Sequence, residues 1–315
     1  MQPSEPAQPD RLATRVQADG VRLDRAVADW RGLSRAAVLR LLTHGAVTCN
    51  GRVMSRANKG DLLHAGDEIG LDSAFAGGET PQADASVGLG ILQQGGGWLV
   101  VNKPAGMPVR PHSLDERGTV LNGVVAEYPE IIGVGEGGLR SGIVHRLDTD
   151  TSGALLIATR QDVWHELREA FSQHLITKQY LALVEGDIVD RGAASRDLRV
   201  ATHQPAFVEV ARTGSGAVDA RSCSLAWHVI ERFGDRASLV DVDLHTGFLH
   251  QARVMMADLG HPVIGDTVYG DTRASIAVPR QMLHASTLSY KEINAEAPLP
   301  IDMSHVRQAL RDMHA

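Results

Sequence analysis

Ser141-Gly142-Ile143-Val144-His145-Arg146-Leu147-Asp148-Thr149-Asp150-Thr151-Ser152-Gly153 runs directly into Ala154-Leu155-Leu156-Ile157-Ala158. The second half is a short continuous apolar run opened by a glycine, the pattern of a buried strand, and polar groups crowd its entrance. Aspartates among Thr and Ser commonly satisfy local backbone donors, so in isolation Asp148 and Asp150 read as turn or capping residues. A second stretch changes that weighing. Leu244-His245-Thr246-Gly247-Phe248-Leu249-His250-Gln251-Ala252-Arg253 joins a strand to a helix. It carries an arginine one turn into the helix, where it can reach a carboxylate on a neighbouring strand.

Outward from these two stretches, short apolar runs alternate with turn residues at Trp98 to Val101, Tyr180 to Val184 and Leu239 to Leu244. In the last, Val240, Val242 and Leu244 alternate with Asp241 and Asp243, a half-buried strand. Helices are fewer. Trp164, Leu167 and Phe171 define one, and His250 to Leu259, closed by Gly260 and Pro262, another. The fold class expected is α+β with strands as the frame. Gly133-Val134-Gly135-Glu136-Gly137-Gly138 has dinucleotide-loop spacing but follows no strand and opens no helix, so it reads as a loop. His165-Glu166 begins a zinc-protease pattern, yet Glu169 stands where the second histidine belongs. The fourteen histidines show no other metal-ligand spacing, and no metal or cofactor is expected.

Composition bounds the rest. With 315 residues, 43% of them hydrophobic, the chain can bury a full core and form two domains. Cys49 and Cys223 cannot build a disulfide framework, no run approaches the ~18 apolar residues of a membrane span, and Met1 to Asp10 lack the apolar core of a signal peptide. A cytoplasmic protein without a membrane partner is expected. The net charge of −7 is uneven: residues 22–59 carry +6 and the remainder −13. A small basic module on an acidic body is a nucleic-acid footprint, although the same charges could form a solvated helix face. Leu23, Ala26, Val27 and Trp30 recur at helical spacing, and a second helix starts at Ser34 as N-cap, with Val38, Leu41 and Leu42 on its stripe and Gly45 at its end. Ala46 to Cys49 and Arg52 to Met54 flank Asn50-Gly51, a two-residue hairpin signal. Arg35, Arg40, Arg52 and Arg56, with Lys59 beyond, are the candidate phosphate contacts. Ala74 to Gly90 is small, polar and aperiodic, a linker. The boundaries expected are a disordered segment 1–18, a basic domain 19–73, the linker 74–90 and a larger domain 91–315.

Residues 20–72 resemble an S4-like RNA-binding domain in Val21-Arg22-Leu23-Asp24-Arg25, Leu33-Ser34-Arg35, the helix into Gly45, and Val47-Thr48-Cys49-Asn50-Gly51. Most of the remaining chain resembles the RluA/RluD-type family of RNA pseudouridine synthases. The resemblance runs through Asn102-Lys103-Pro104-Ala105-Gly106, His145-Arg146-Leu147-Asp148 with Thr151-Ser152-Gly153, and Lys178-Gln179-Tyr180-Leu181-Ala182-Leu183-Val184. It continues in His250-Gln251-Ala252-Arg253-Val254, Gly260-His261-Pro262-Val263-Ile264-Gly265-Asp266 and Leu283-His284-Ala285.

That resemblance implies a catalytic domain on a mixed, mainly antiparallel sheet, with Asp148 as the catalytic aspartate, Tyr180 as the aromatic against the target base and Arg253 as the partner that keeps Asp148 ionised and oriented. Without the family order, Tyr180 would read as core and Arg253 as a surface arginine. The chemistry wants a carboxylate because a charge-developing sugar carbon must be stabilised or trapped when the bond to the base breaks; attack on the sugar and removal of a sugar proton both fit. A stacked uridine must be extruded first. Arg146 is the candidate to fill the vacated space, or else binds phosphate or forms an ion pair. The isomerisation moves no electrons and adds no atoms, so it calls for no cofactor. The chain departs from the common pattern at Phe248, Leu249 and Ala252, at Thr149 and at Met255, which puts the local RNA contacts in doubt. The expected partner is structured RNA, ribosomal RNA favoured with transfer RNA as the alternative, bound by a monomer. The competing reading is a non-catalytic RNA-binding or ribosome-associated protein that keeps the fold.

Overall fold

The computed structural model describes residues 11–31, 33, 35–72, 80–203, 205–211, 219–270 and 278–314. The N-terminal part contains β1 (Arg11–Arg15), β2 (Val21–Arg22), α1 (Leu23–Arg31), α2 (Arg35–Thr43), β3 (Val47–Cys49), β4 (Arg52–Met54), β5 (Leu62–Leu63) and β6 (Glu68–Asp72). Strands β1, β6, β3 and β4 pair in that order, β2 pairs β5, and Leu23, Val27, Val38, Leu42, Val47, Ile69 and Leu71 form the core beneath the helices. The β3–β4 turn is the expected one: Asn50 and Gly51 both have positive φ, 50° and 77°, which matches the right-handed twist of the strands they join.

Two expectations are corrected here. The segment expected to be disordered contains β1, paired along its whole length with Glu68 to Asp72, and Val16 behind it is buried in the core. No local periodicity announces such a strand, because its stability comes from a backbone ladder to residues more than fifty positions away. The linker is also shorter than expected. Residues 80–90 lie against the helix Val120–Glu127: the Asp84 N–H donates to the Asn122 carbonyl (3.0 Å), the Asn122 side chain to Gln82 (2.7 Å), and Val87 is buried. Polar, aperiodic sequence here marks a segment fixed by side-chain bonds rather than a flexible one. Residues 74–79, the rest of that linker, and Ser34 and residues 1–10 lie outside the described residues.

The larger part follows as β7 (Ile91–Gly95), β8 (Trp98–Lys103), α3 (Val120–Glu127), β9 (Ser152–Ala158), α4 (Gln161–Ser172), β10 (Thr177–Glu185), β11 (Arg191–His203), β12 (Ala206–Val210), β13 (Arg221–Phe233), β14 (Ala237–Leu244), α5 (Gln251–Asp258), β15 (Leu283–Tyr290), β16 (Ile293–Glu296) and α6 (Ile301–His314). Ten strands form one sheet in the order β12-β11-β13-β14-β10-β15-β9-β8-β7, with β16 on β15. The sheet is mixed and mainly antiparallel, as expected. Its parallel pair is β9 with β15, where Ser152 and Gly153 face His284 and Ala285. Both faces of β9 are covered. Leu155 and Ile157 pack with α3 and α5, and Ala154, Leu156 and Ala158 with α4. Full burial on both sides is why the run is continuously apolar rather than alternating. Farther along, β14 alternates from Val240 as the sequence implies, but Leu239 is buried too, against Met303 and Leu310 of α6. Among the described residues no helix is long and apolar enough to cross a membrane.

Candidate active site

The polar stretch ahead of β9 is tied down at several points, and this fixes where Asp148 can point. The Leu156 N–H donates to His145 Nε2 at 2.9 Å, and the His145 ring stacks on Phe171 of α4 with centroids 4.6 Å apart. Burial, with Lys178 and Arg168 nearby, pushes this imidazole down to about 3. Lys103 at the end of β8 is buried, and its Nζ donates to the carbonyls of Pro104, Met107 and Thr149 at 2.9, 2.7 and 2.7 Å. Burial lowers this ammonium to about 8. Arg280 reaches the Asp150 carbonyl (3.1 Å) while pairing through two nitrogens with Asp302, and Gln281 donates to Thr151 (3.0 Å). The loop between these anchors is the one that carries Asp148, whose side chain is 19% exposed and faces open space.

Arg253 reaches that loop from the first turn of α5. Its Nη1 donates to Asp148 Oδ2 at 3.0 Å, and its Nε and Nη2 donate to Asp266 Oδ2 and Oδ1 at 2.7 and 2.8 Å. Asp266 also accepts the N–H groups of Val268 and Tyr269. Burial works against both charged partners here, but the Asp266 hydrogen bonds and the two carboxylate charges prevail and raise the Arg253 guanidinium. Likewise Arg253 holds the buried Asp266 carboxyl below the usual carboxylate range. Asp266 therefore fixes the plane of the guanidinium so that the remaining N–H is aimed at Asp148. The expected pair is present, and the carboxylate comes from the loop before β9, not from a strand.

Tyr180 lies on β10, opposite Val242 of β14 and Ala285 of β15, and is 8% exposed. Burial pushes its phenol up, and the Asp148 charge adds to this. Asp148, Tyr180, Arg146, Lys178, Phe248 and His250 line one cleft of about 700 Å³, within the size range of small-molecule sites. Lys178 is anchored to the Thr246 carbonyl (3.0 Å), and Phe248 and Leu249 put apolar surface on the wall where the sequence departs from the family pattern. Arg146 is exposed at the rim. It also borders a second, smaller groove with Arg110, Arg140 and Arg168, three arginines that sequence reasoning did not single out.

The basic residues of the N-terminal part are not brought to this cleft. Arg35 is exposed and sits 3.6 Å from the buried Asp24, which Arg22 also pairs at 2.9 Å. Arg52 and Arg56 are exposed beside the hairpin. Arg40 and Lys59 are half-buried, so of the five candidate phosphate contacts only Arg35, Arg52 and Arg56 are exposed, and Arg40 lies near enough to Arg110 for its charge to act on it. Sequence reasoning also assigned no role to Asp266, His250 or Tyr269. His250 could have been noticed as a histidine beside a charged helix start, but Asp266 carries no local signal beyond following Gly265. Among the described residues no group of three or more His, Cys, Asp or Glu could hold a metal ion. The arrangement offers one carboxylate with an oxygen clamped by arginine and the other facing a cleft, beside a neutral phenol, an arrangement suited to chemistry at a sugar carbon.

Residues 97–258 match the family model described as RNA pseudouridylate synthase. The chain is 34% identical to "Uncharacterized RNA pseudouridine synthase YlyB" of Bacillus subtilis, over 92% of this chain and 94% of that protein. It is 32% identical to "Ribosomal large subunit pseudouridine synthase D" of Vibrio parahaemolyticus, over 93% of this chain and 91% of that protein. Among solved structures, "Human RNA Pseudouridylate Synthase Domain Containing 4" superposes with a TM-score of 0.58 at 22% identity, covering 70% of this chain and 93% of that one, a likeness of fold.

Proposed function

This chain belongs to the RNA pseudouridylate synthase family and is an RNA pseudouridine synthase, an isomerase; we propose that Asp148 performs its bond chemistry on uridines of structured ribosomal RNA. The observation that carries the proposal is the Asp148 carboxylate at the cleft, held through Oδ2 by Arg253 while Arg253 is itself fixed by Asp266. In the reaction the bond from the sugar carbon to the base nitrogen breaks, the base turns, and its carbon 5 bonds to the same sugar carbon. The proton on carbon 5 is lost and the freed nitrogen gains one, so atoms and electrons balance without a further reactant. Asp148 meets the charge that develops on the sugar carbon. Tyr180, kept neutral by burial, packs against the extruded base. Arg146, exposed at the rim, fills the space the base leaves. The groove it shares with Arg110, Arg140 and Arg168 suits the phosphates of the strand that enters the cleft. The basic N-terminal part acts as an S4-like module, with Arg35, Arg52 and Arg56 exposed toward RNA and the half-buried Arg40 and Lys59 adding their charge beside them. Ribosomal RNA is preferred over transfer RNA because relatives named for the large ribosomal subunit align over nearly the whole chain. The protein works as a monomer in the cytoplasm.

Pseudouridine mapping of total RNA from cells with and without the gene, alongside an Asp148→Asn complement, tests this. A ribosomal site lost in the deletion, restored by the parental chain and not by the variant, is the result expected. A site restored by Asp148→Asn removes the aspartate assignment. A lost site in transfer RNA removes the substrate assignment, and no changed site with retained RNA binding leaves a binder.

A further inference from the structure

We infer that His250 is a positioning residue for Asp148: it presents an Nε2–H to the carboxylate oxygen that Arg253 leaves unbound, in a tautomer set by Tyr269. The inference rests on the role of Asp148 proposed above. His250 caps the start of α5 with φ 54° and ψ 18°, a left-handed backbone that costs a non-glycine residue about 1 kcal/mol and turns the ring toward the loop before β9. The side chain is 11% exposed, and Nε2 lies 3.9 Å from Asp148 Oδ1. Arg253 takes Oδ2, so the two donors address different oxygens.

The proton positions follow from hydrogen-bond counting. Tyr269 Oη accepts the Val208 N–H at 2.9 Å and lies 2.9 Å from His250 Nδ1. A phenol has one proton to give. If Nδ1 carried a hydrogen, Oη would receive two N–H groups, its own proton would have no protein acceptor among the described residues, and a bare Nε2 lone pair would face the Asp148 carboxylate. If Oη donates to Nδ1, every group is satisfied and Nε2 carries the hydrogen toward Asp148. The charged groups around the ring are Asp148, Arg253, Asp266 and Arg146, and burial, the largest influence, pushes the imidazole below its ordinary value.

Tyr269 is suited to link the two ligands of Asp148. Its ring lies 5.2 Å from the Arg253 guanidinium and edge-on to His250, it stacks on Phe207 at 5.4 Å, and its backbone N–H donates to Asp266. A closure of about 1 Å as RNA enters would complete the Nε2–H bond, since catalytic hydrogen bonds often tighten only in the substrate complex. The carboxylate would then be held at both oxygens, which prevents rotation about its terminal bond while the sugar carbon reacts.

The test combines 15N NMR of the histidine rings in the full-length protein with kinetics on a target RNA. At neutral pH the expected result is a protonated Nε2 and an unprotonated Nδ1 for His250, with Asp148→Asn shifting Nε2 far more than Nδ1. In Tyr269→Phe the tautomers mix and kcat falls several-fold with little change in KM. His250→Leu lowers kcat about tenfold, the scale of one lost hydrogen bond to a charged group, and His250→Gln, which keeps an N–H near that place, recovers part of it. Should His250→Leu fail to fold, Tyr269→Phe carries the kinetic arm, because the ring and its packing remain. An Nδ1–H ring or an imidazolium in the parental protein overturns the inference, as does an unchanged tautomer and kcat in Tyr269→Phe. A parental protein inactive on every RNA would sink the functional reading, while the NMR arm would still decide the tautomer and its dependence on Asp148.

Discussion

His145 and Arg146 are chain neighbours with opposite fates, and the loop before β9 depends on the difference. His145 turns inward because its Nε2 is the acceptor for the Leu156 N–H, a backbone donor with no ladder partner there; Arg146 turns outward to the cleft rim. The accepting lone pair has a consequence for pH. In the native state the ring resists protonation down to about 3, whereas in the unfolded chain it protonates near 6.5. Between those values the unfolded chain binds a proton that the native chain refuses, so stability should fall as pH drops from about 6.5 toward 3 and gain nothing from this residue above 6.5. Urea unfolding at a series of pH values checks this; His145→Gln, which can accept the same N–H without titrating, should flatten that limb. An unaltered slope in the variant would place the pH dependence elsewhere. At this scale Asp148, Tyr180 and Arg253 were identifiable from motif order, but Asp266 was not, because an acid's role depends on which cation the chain folds beside it.

Among elements, β9 and β15 decide the site. Gly153 has φ 118°, and a Cβ placed there would lie 2.1 Å from the Ala285 carbonyl oxygen across the parallel pair. Neither backbone can move without pulling the strand that carries the Asp148 loop away from its neighbour. Gly153→Ala should therefore cost about 2 kcal/mol or more, read as a lowered urea midpoint, and should reduce kcat at temperatures where the protein is still folded. A fully active, fully stable Gly153→Ala protein would contradict this account of the strand entrance. The apolar run Ala154 to Ala158 was legible as a buried strand because five consecutive apolar residues leave no exposed face. That β9 would pair in parallel with β15 was not, since β9 is buried throughout and β15 is buried over the residues that pair with it, so neither carries an alternation there that encodes register. A different reason, partners far along the chain, explains β1, whose ladder runs to Glu68–Asp72, and α6, whose apolar positions match Phe233 and Leu239 only once β13 and β14 are side by side.

Across the whole molecule the charge is unevenly divided, and this should govern how RNA is held. Arg52 and Arg56, beside the Asn50-Gly51 hairpin, are exposed and do not line the cleft that contains Asp148, so their contribution belongs to affinity rather than to the bond chemistry. A double Arg52→Glu, Arg56→Glu protein should raise KM about tenfold at moderate salt, and the slope of log affinity against log salt should shrink by about 2. An unchanged salt slope would assign RNA holding to the arginine groove at Arg146 instead. Local chemistry alone, read along the chain, determined the hairpin, the helices α1, α2, α4 and α5, the buried strand and the ordered motifs that mark the family, because burial period and turn preference are written in residues three or four positions apart. The contact between Arg253 and Asp148 spans 105 positions, and its partners come from two further stretches, His250 beside Arg253 at the start of α5 and Asp266 with Tyr269 in the loop that follows. Such convergence is bought by closing long loops around a common sheet, so it exists only in the folded chain, where the order of strands places those segments side by side.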